Sequence, residues 1–474
     1  MNRRIQRQTL IDGWDQSKLD ISLVFNMGNG LTAKYASLLS SCLEFGRIIN
    51  SNNDNETFMG KNIKGAKELA DIIKELNPNI IAAGHYMKIN SSLMDTLQFH
   101  VDAYFHSGNS WQEKRQLLAN NVNTHRMNEN ETRRYVVLSG CNDAQSRLVD
   151  YDYGDIKPEH LIPQFEEQEQ GRIPSLFNAS LGLGEIIGNL MKWPERSKEI
   201  ITWNLRSNNR TSHMEDFEKA NIQGKKVGVI GCGAVGAMYL EATQDLGLEF
   251  YICDFDTIEI TNFARAPHFV GKTGENKAKV LADHFKGKYT PIETKFEGEF
   301  PEVDLLISAV DGFDNQLSII NYSQKNQIPL LLGGCTPFTA NVYAYMPGKT
   351  SSMLHQYDFL KQAYLSTIRQ NHRHCNDPEA EASNVITTTL CASVLAGETQ
   401  NIFINPLKGP FSYDIKRNPR IQVIETGEIK DLGTNIPELT KLEGVKREIK
   451  GGVETIYVKD KPFEQWYQEE IQNV

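Results

Sequence analysis

Twice in this chain an apolar run leads into a glycine turn and then into a helix-forming stretch. The first is ISLVFNMGNGLTAKYASLL, with Gly28 and Gly30 and then Ala33 where a third glycine would fall. The second is KKVGVIGCGAVGAMYLEAT, with Gly231, Gly233 and Gly236, each displaced by 203 residues from its counterpart. Two further landmarks follow in the same order. Asp102 in FHVDAYFHSGNSW and Asp304 in PEVDLLISAVDGF lie 202 residues apart. LSGCNDAQSRLVDYDYG and LGGCTPFTANVYAYMPG then share a Gly-Cys pair, a tyrosine (Tyr151, Tyr345) and a closing glycine (Gly154, Gly348), all 194 residues apart. Landmarks in one order at near-constant spacing mark the duplication of a whole domain, because solenoid units recur every roughly 20–50 residues.

Each copy reads as strand, glycine turn, helix, strand, helix, strand, the alternation of a parallel sheet covered by helices. The expected fold is α/β: two tandem Rossmann-like domains with mostly parallel sheets, plus a small C-terminal extension. The expected boundaries are 1–205 for the first domain, 217–410 for the second and 411–474 for the extension, with the polar stretch RSNNRTSHMED as linker. Within the extension, RIQVIETGEI and VETIYV read as strands, followed by a short final helix.

The 474 residues are 40% hydrophobic and 23% charged, enough to bury real cores and unlike a disordered or collagen-like chain. Fifty basic against 60 acidic side chains give a net charge of −10, which argues against a broad nucleic-acid or membrane face but leaves room for a local basic cleft. No apolar run approaches the roughly 18 residues of a membrane helix, and no apolar stretch follows the basic residues of MNRRIQRQTLIDGWDQ as a signal peptide requires. Seven cysteines without a C-x-x-C pair suggest reduced thiols, a cytoplasmic location and no paired-cysteine zinc cage.

G-x-G-x-x-G after the apolar VGVI and before a helix lets backbone N–H groups approach phosphate at the positive helix end. Eighteen residues after Gly236, the strand ending YICDFD places Asp254 to accept ribose hydroxyls. Alone, this pattern describes a nicotinamide or flavin oxidoreductase. The following residues favour a triphosphate: Asn262, Arg265 and, in GENKAKV, Lys277 supply an amide and two cations close behind the ribose carboxylate. DLLISAVDGFDN then ends an apolar strand with Asp311, a carboxylate at the ligand-binding edge of the sheet and suited to magnesium.

The series G-x-G-x-x-G, D-x-D-x-[IV]-x-x-x-N-x-x-R (Asp254, Asp256, Asn262, Arg265), G-x-x-K-A (Lys277) and an apolar strand ending in Asp311 resembles the adenylation domain of the ubiquitin-activating enzyme superfamily, which includes the ThiF and MoeB sulfur-carrier adenylyltransferases. The resemblance spans about residues 225–400. It implies ATP and Mg2+ as cofactors and a reaction in which the C-terminal carboxylate of a small ubiquitin-fold protein attacks the α-phosphate of ATP. It also implies Asp254 as ribose ligand, Asn262, Arg265 and Lys277 as phosphate contacts and Asp311 as magnesium ligand. Gln316 stands where many members carry arginine.

RRIQRQTLIDGWDQSKLDISLVF is similar to the opening of the same domains, in which an arginine, here Arg7, reaches across a two-fold interface into the partner's ATP site. At the repeat spacing Ser51 replaces Asp254 and Asn109 replaces Asp311, so the first copy lacks both carboxylates. The chain thus resembles an inactive and an active adenylation half fused as a pseudo-dimer, with one working site.

Among the thiols, Cys232, Cys253, Cys335 and Cys391 read as packing residues. Cys375, in the polar NHRHCNDPEAEASNV with His372, Arg373 and His374 beside it, has neighbours that favour a thiolate. Its place resembles the family's crossover loop, which makes it the expected thioester nucleophile; a metal site of His372, His374 and Cys375 and a plain loop cysteine are the alternatives. The expected function is ATP-dependent activation of a ubiquitin-like protein, in the manner of compact activating enzymes of bacterial conjugation operons linked to antiviral defence. Expected partners are a ubiquitin-like protein ending in glycine and a conjugating enzyme, with no nucleic acid or membrane. A sulfur-carrier or peptide adenylyltransferase without a thioester stays open, as more distantly does an NAD-dependent oxidoreductase.

Overall fold

The computed structural model describes residues 3–28, 30–51, 55–59, 61–84, 103–107, 135–141, 145–152, 171–193, 201–204, 209–210, 221–285, 287–350, 382–403, 411–414, 422–423, 445–450, 453–458, 460–462 and 465.

The first half contains α1 (Gln16–Ile21), β1 (Leu23–Met27), α2 (Leu31–Cys42), β2 (Arg47–Ser51), the hairpin β3 (Asn55–Phe58) and β4 (Lys61–Lys64), α3 (Ala66–Leu76) and β5 (Ile81–Gly84). It continues with β6 (Ala103–Ser107), β7 (Tyr135–Cys141), β8 (Gln145–Asp152), α4 (Arg172–Leu190), β9 (Ile201–Asn204) and β10 (Asn209–Arg210). The second half contains β11 (Lys226–Ile230), α5 (Ala234–Thr243), β12 (Glu249–Cys253), α6 (Lys277–His284), β13 (Tyr289–Ile292), β14 (Leu305–Ser308) and α7 (Phe313–Lys325). There follow β15 (Leu330–Cys335), β16 (Thr339–Tyr345), α8 (Val385–Asn401), β17 (Phe411–Asp414) and β18 (Gln422–Val423). A separate three-stranded sheet of β19 (Val445–Lys450), β20 (Val453–Val458) and β21 (Lys461–Pro462) ends the described chain.

The two halves carry the same sheet. One has eight strands in the order β5-β2-β1-β6-β7-β8-β9-β10, the other eight in the order β13-β12-β11-β14-β15-β16-β17-β18. In both, the first five strands are parallel and the remaining pairings antiparallel. Register repeats too: Cys141 lies opposite Ser146, and Cys335 opposite Ala340, at the 194-residue spacing. Strand order reverses at β1 and again at β11, which opens a ligand crevice at the carboxyl ends of the parallel strands.

α2, α4, α5 and α8 pack on one another between these halves. All 12 residues of α2 are buried, as are most of α4 and α8, the behaviour of helices without a polar face. Their many Ser, Ala, Gly and Thr residues permit close approach. Several of the hydroxyls are paired within their own helix: Ser37, Ser40, Ser180 and Ser393 bond to carbonyls four residues back at 2.7–2.9 Å. Leu38, Leu39, Leu176, Phe177, Leu240, Leu390 and Leu395 fill the interior, each worth about 1.5–3 kcal/mol on full burial.

One buried polar network crosses between the halves. Glu241 of α5 accepts the Tyr35 hydroxyl of α2 at 2.9 Å and Nη1 of Arg172 of α4 at 3.0 Å. Arg172 also pairs with Asp245 at 2.7 Å.

The expected linker supplies Asn209–Arg210, which pair antiparallel with β9. VETIYV forms β20 as expected, whereas RIQVIETGEI contributes Gln422–Val423 and otherwise lies, like the expected final helix beyond Gln465, outside the described residues.

Candidate functional site

The glycine turn after β11 is built by exclusion. Gly231 takes φ +92° and gives its N–H to the Cys253 carbonyl at 2.9 Å; a Cβ there would sit 2.6 Å from the Ala309 carbonyl oxygen. A Cβ on Gly236 would sit 2.1 Å from the Gly231 oxygen, so α5 leans on the turn where nothing larger than glycine fits. Gly233 differs: no described atom lies within 4 Å of where its Cβ would be. It is also the N-cap of α5, with no side-chain cap, so the first N–H groups of the helix face that open space.

Beside the turn, the buried Asp254 carboxylate accepts the Cys232 N–H at 2.6 Å and the Asp256 N–H at 2.8 Å. Burial pushes its carboxyl above the ordinary value, against the pull of Lys277 and the two N–H donors. Lys277 opens α6 and gives Nζ to Asp256 at 2.8 Å, while Asn276 caps that helix and ties it to the Asp254 carbonyl at 2.9 Å. Asn262 takes the Glu259 N–H on Oδ1 at 2.9 Å, and the Glu259 carboxylate caps the same turn in return. That reciprocal cap shapes the turn carrying Arg265, whose N–H reaches the Asn262 carbonyl at 3.1 Å.

Arg265 is 8% exposed. Its Nη1 donates to Ser383 Oγ at 2.7 Å, and the Ser383 N–H in turn donates to the Arg7 carbonyl at 3.1 Å. The Nε atoms of both Arg7 and Arg265 are buried without a hydrogen-bond partner among the described residues. Burial, and then the Arg7 charge, push the Arg265 guanidinium below its ordinary value, while Asp311 and Cys335 oppose them. Two cations therefore share a half-closed space with an exposed carboxylate. Asp311 sits in the loop between β14 and α7, held by the Ala309 N–H on the Ile230 carbonyl at 2.9 Å and by Asn315 Nδ2 on the Asp311 carbonyl at 3.1 Å. Its carboxylate accepts no hydrogen bond among the described residues. Gln316 turns inward, onto the Val310 carbonyl at 3.1 Å.

An open helix N-terminus, a buried carboxylate beside it and paired arginines facing an exposed aspartate fit the motif series found in the sequence, and residues 207–425 match the ThiF family. Those residues form a ThiF-family domain. No curated protein sequence matches the chain. Among solved structures, the chain is similar to Escherichia coli MccB with succinimide at 19% identity, covering 43% of this chain and 65% of that one, with a TM-score of 0.37. It is likewise similar to E. coli MccB with ATP, at 18% identity, 45% and 67% coverage and a TM-score of 0.36. The chain thus spans just under two thirds of the first of these, 65% of its length.

The ThiF-family domain brings Gly231, Gly233, Gly236, Asp254, Asp256, Asn262, Arg265, Lys277 and Asp311 to one sheet edge, and Arg7 joins them from the other half. Cys375 and its neighbours His372, Arg373 and His374 lie outside the described residues, as does Asn109. Ser51 ends β2 opposite Met27 as Cys253 ends β12 opposite Ile230, so the strand register matches Ser51 to Cys253, one residue short of Asp254. Cys232, Cys253 and Cys391 are buried. Cys335 donates its thiol to the Thr387 carbonyl at 3.3 Å, and burial pushes that thiol well up, which keeps it protonated beside the site. Sequence reasoning missed Ser383 and Glu259. The capping signal E-x-x-N around Glu259 could have shown one; Ser383 has no sequence signal of its own.

Proposed function

We propose that this chain is an ATP-dependent adenylyltransferase that activates the C-terminal carboxylate of a ubiquitin-like protein. The observation that carries the reading is the pair of buried, unpartnered Nε groups on Arg7 and Arg265 beside the free Asp311 carboxylate. Unpaired buried cations call for an anion, and the open N-terminus of α5 points to the same ligand. Asp254 would hold the ribose hydroxyls, and Lys277 would share its charge between Asp256 and phosphate. Magnesium, when bound, would neutralise charge on the leaving group, with Asp311 the residue suited to hold it.

The ionised substrate carboxylate attacks the α-phosphorus, the bond from that phosphorus to the bridging oxygen breaks, and pyrophosphate departs carrying the electron pair. Arg7 and Arg265 would stabilise the charge that develops there. In this reading the first half keeps its fold and lends Arg7 while its own site, with no carboxylate at Ser51, Asn52 or Asn109, stays silent. The adenylate would then pass to Cys375: the thiolate attacks the acyl carbon, a thioester forms and AMP leaves. A conjugating enzyme would collect the acyl group.

Purified full-length protein with Mg2+, ATP and a ubiquitin-fold protein ending in glycine should exchange labelled pyrophosphate into ATP. A reducible adduct should appear on a non-reducing gel and vanish in Cys375→Ala while exchange survives. Exchange with no adduct would support the sulfur-carrier or peptide alternative. Tight NADH binding without ATP binding would overturn the proposal.

A further inference from the structure

Beneath the phosphate-binding elements lies a second cluster that the proposed reaction does not use. Glu241 projects from α5, His268 from the short turn Pro267–Phe269, and His284 ends α6. One potential ligand atom from each lies within 4.8 Å of the other two. The imidazole rings stand edge to face with centroids 5.0 Å apart.

The hydrogen bonding of this cluster is unfinished. His268 Nδ1 and His284 Nε2 are buried with no partner among the described residues. A buried polar group left unpaired costs about 1–3 kcal/mol. Glu241 Oε1 is saturated by Tyr35 and Arg172, but Oε2 has a single long contact, to His268 Nε2 at 3.4 Å. Burial alone would raise the Glu241 carboxyl, yet His268, Arg172 and Tyr35 reverse this and hold it down to about 2.

We propose that Glu241, His268 and His284 bind a divalent transition metal of the zinc type. Two imidazoles and one carboxylate form a borderline-soft donor set that suits zinc better than magnesium or calcium. Arg172 and Tyr35, on the far oxygen of Glu241, would orient that ligand from outside. The site is structural in position. Its ligands come from the helix that follows the Gly231 turn, from the turn just after Arg265, and from the helix that Lys277 begins. A metal here would clamp all three phosphate-facing elements to one another and, through Arg172 and Tyr35, to the other half of the chain.

The test uses the full chain, stripped with chelator and titrated with Zn2+ or Co2+. The expected results are one zinc retained per chain, a visible Co2+ absorption of low coordination number and a rise in Tm on metal addition. His284→Gln should weaken zinc binding by more than the about 100-fold that losing an outer partner can cost, and should abolish the Tm rise. The combined His372→Ala, His374→Ala, Cys375→Ala variant should retain both. X-ray absorption of the zinc-loaded unmodified protein should show nitrogen and oxygen neighbours without sulfur, a readout independent of whether any variant folds. No retained zinc and no Tm rise would overturn the proposal. A sulfur neighbour, or zinc kept by His284→Gln and lost from the combined variant, would overturn it as well.

Discussion

Arg7 and Arg265 meet on a single residue: Ser383 gives its N–H to the Arg7 carbonyl at 3.1 Å and takes Arg265 Nη1 on its hydroxyl at 2.7 Å. That contact ties the Arg7 backbone to the Arg265 guanidinium, and the Arg7 charge acts on Arg265 before any anion arrives. Arg7→Ala should therefore lower pyrophosphate exchange by about tenfold or more, the scale of one lost charge-assisted contact. Its unfolding midpoint should stay unchanged or rise, because a repulsion has gone. A large fall in Tm with unaltered exchange would make Arg7 a structural residue.

The glycines separate fold from ligand. Gly236→Ala must push a Cβ against the Gly231 carbonyl and should destabilise the domain by several kcal/mol, as overpacking and a displaced turn do. Gly233→Ala has room in the structure and should fold normally, yet its methyl would occupy the space before the α5 N-terminus. Nucleotide titrations on the Gly233→Ala variant should show a loss of about tenfold or more in affinity at unchanged Tm.

Asp254 sets a pH dependence. Its carboxyl stands above the ordinary value because it is buried, so on acidification it gains its proton earlier than an exposed aspartate would. The ionised form is the stronger acceptor for ribose hydroxyls. ATP affinity should accordingly fall as pH drops through this raised value, and Asp254→Asn should bind weakly at all pH values with that acid limb flattened. Calorimetric titration across the pH range measures both.

The buried crossing between the halves is sensitive to one-sided change. Arg172→Met leaves Glu241 ionised without its guanidinium and should cost about 3–5 kcal/mol in urea unfolding, whereas Tyr35→Phe removes one neutral donor and should cost about 1 kcal/mol.

The local patterns were readable before any coordinates. Gly231, Gly233, Gly236 and Asp254 follow from strand, turn and helix spacing, and the repeat spacing gave matching sheets with matching register. The proximity of Arg7 to Arg265 came from the resemblance alone, since no periodicity links residues 258 positions apart. Asn262 was expected as a phosphate contact; in the structure its oxygen shapes the Arg265 turn with Glu259. The Glu241, Arg172 and Tyr35 network was invisible because it depends on how four helices of small residues pack, which no single helix records. Ser383 was hidden for the same reason: it matters through what it bridges.

The central claim is that one working nucleotide site, completed by Arg7, binds ATP. Calorimetric titration of the full chain with MgATP and, separately, with NADH tests it most directly. The account predicts one ATP per chain, lost or greatly weakened in Asp311→Ala, and no NADH binding; two equivalent ATP sites, or NADH bound in preference to ATP, would contradict it.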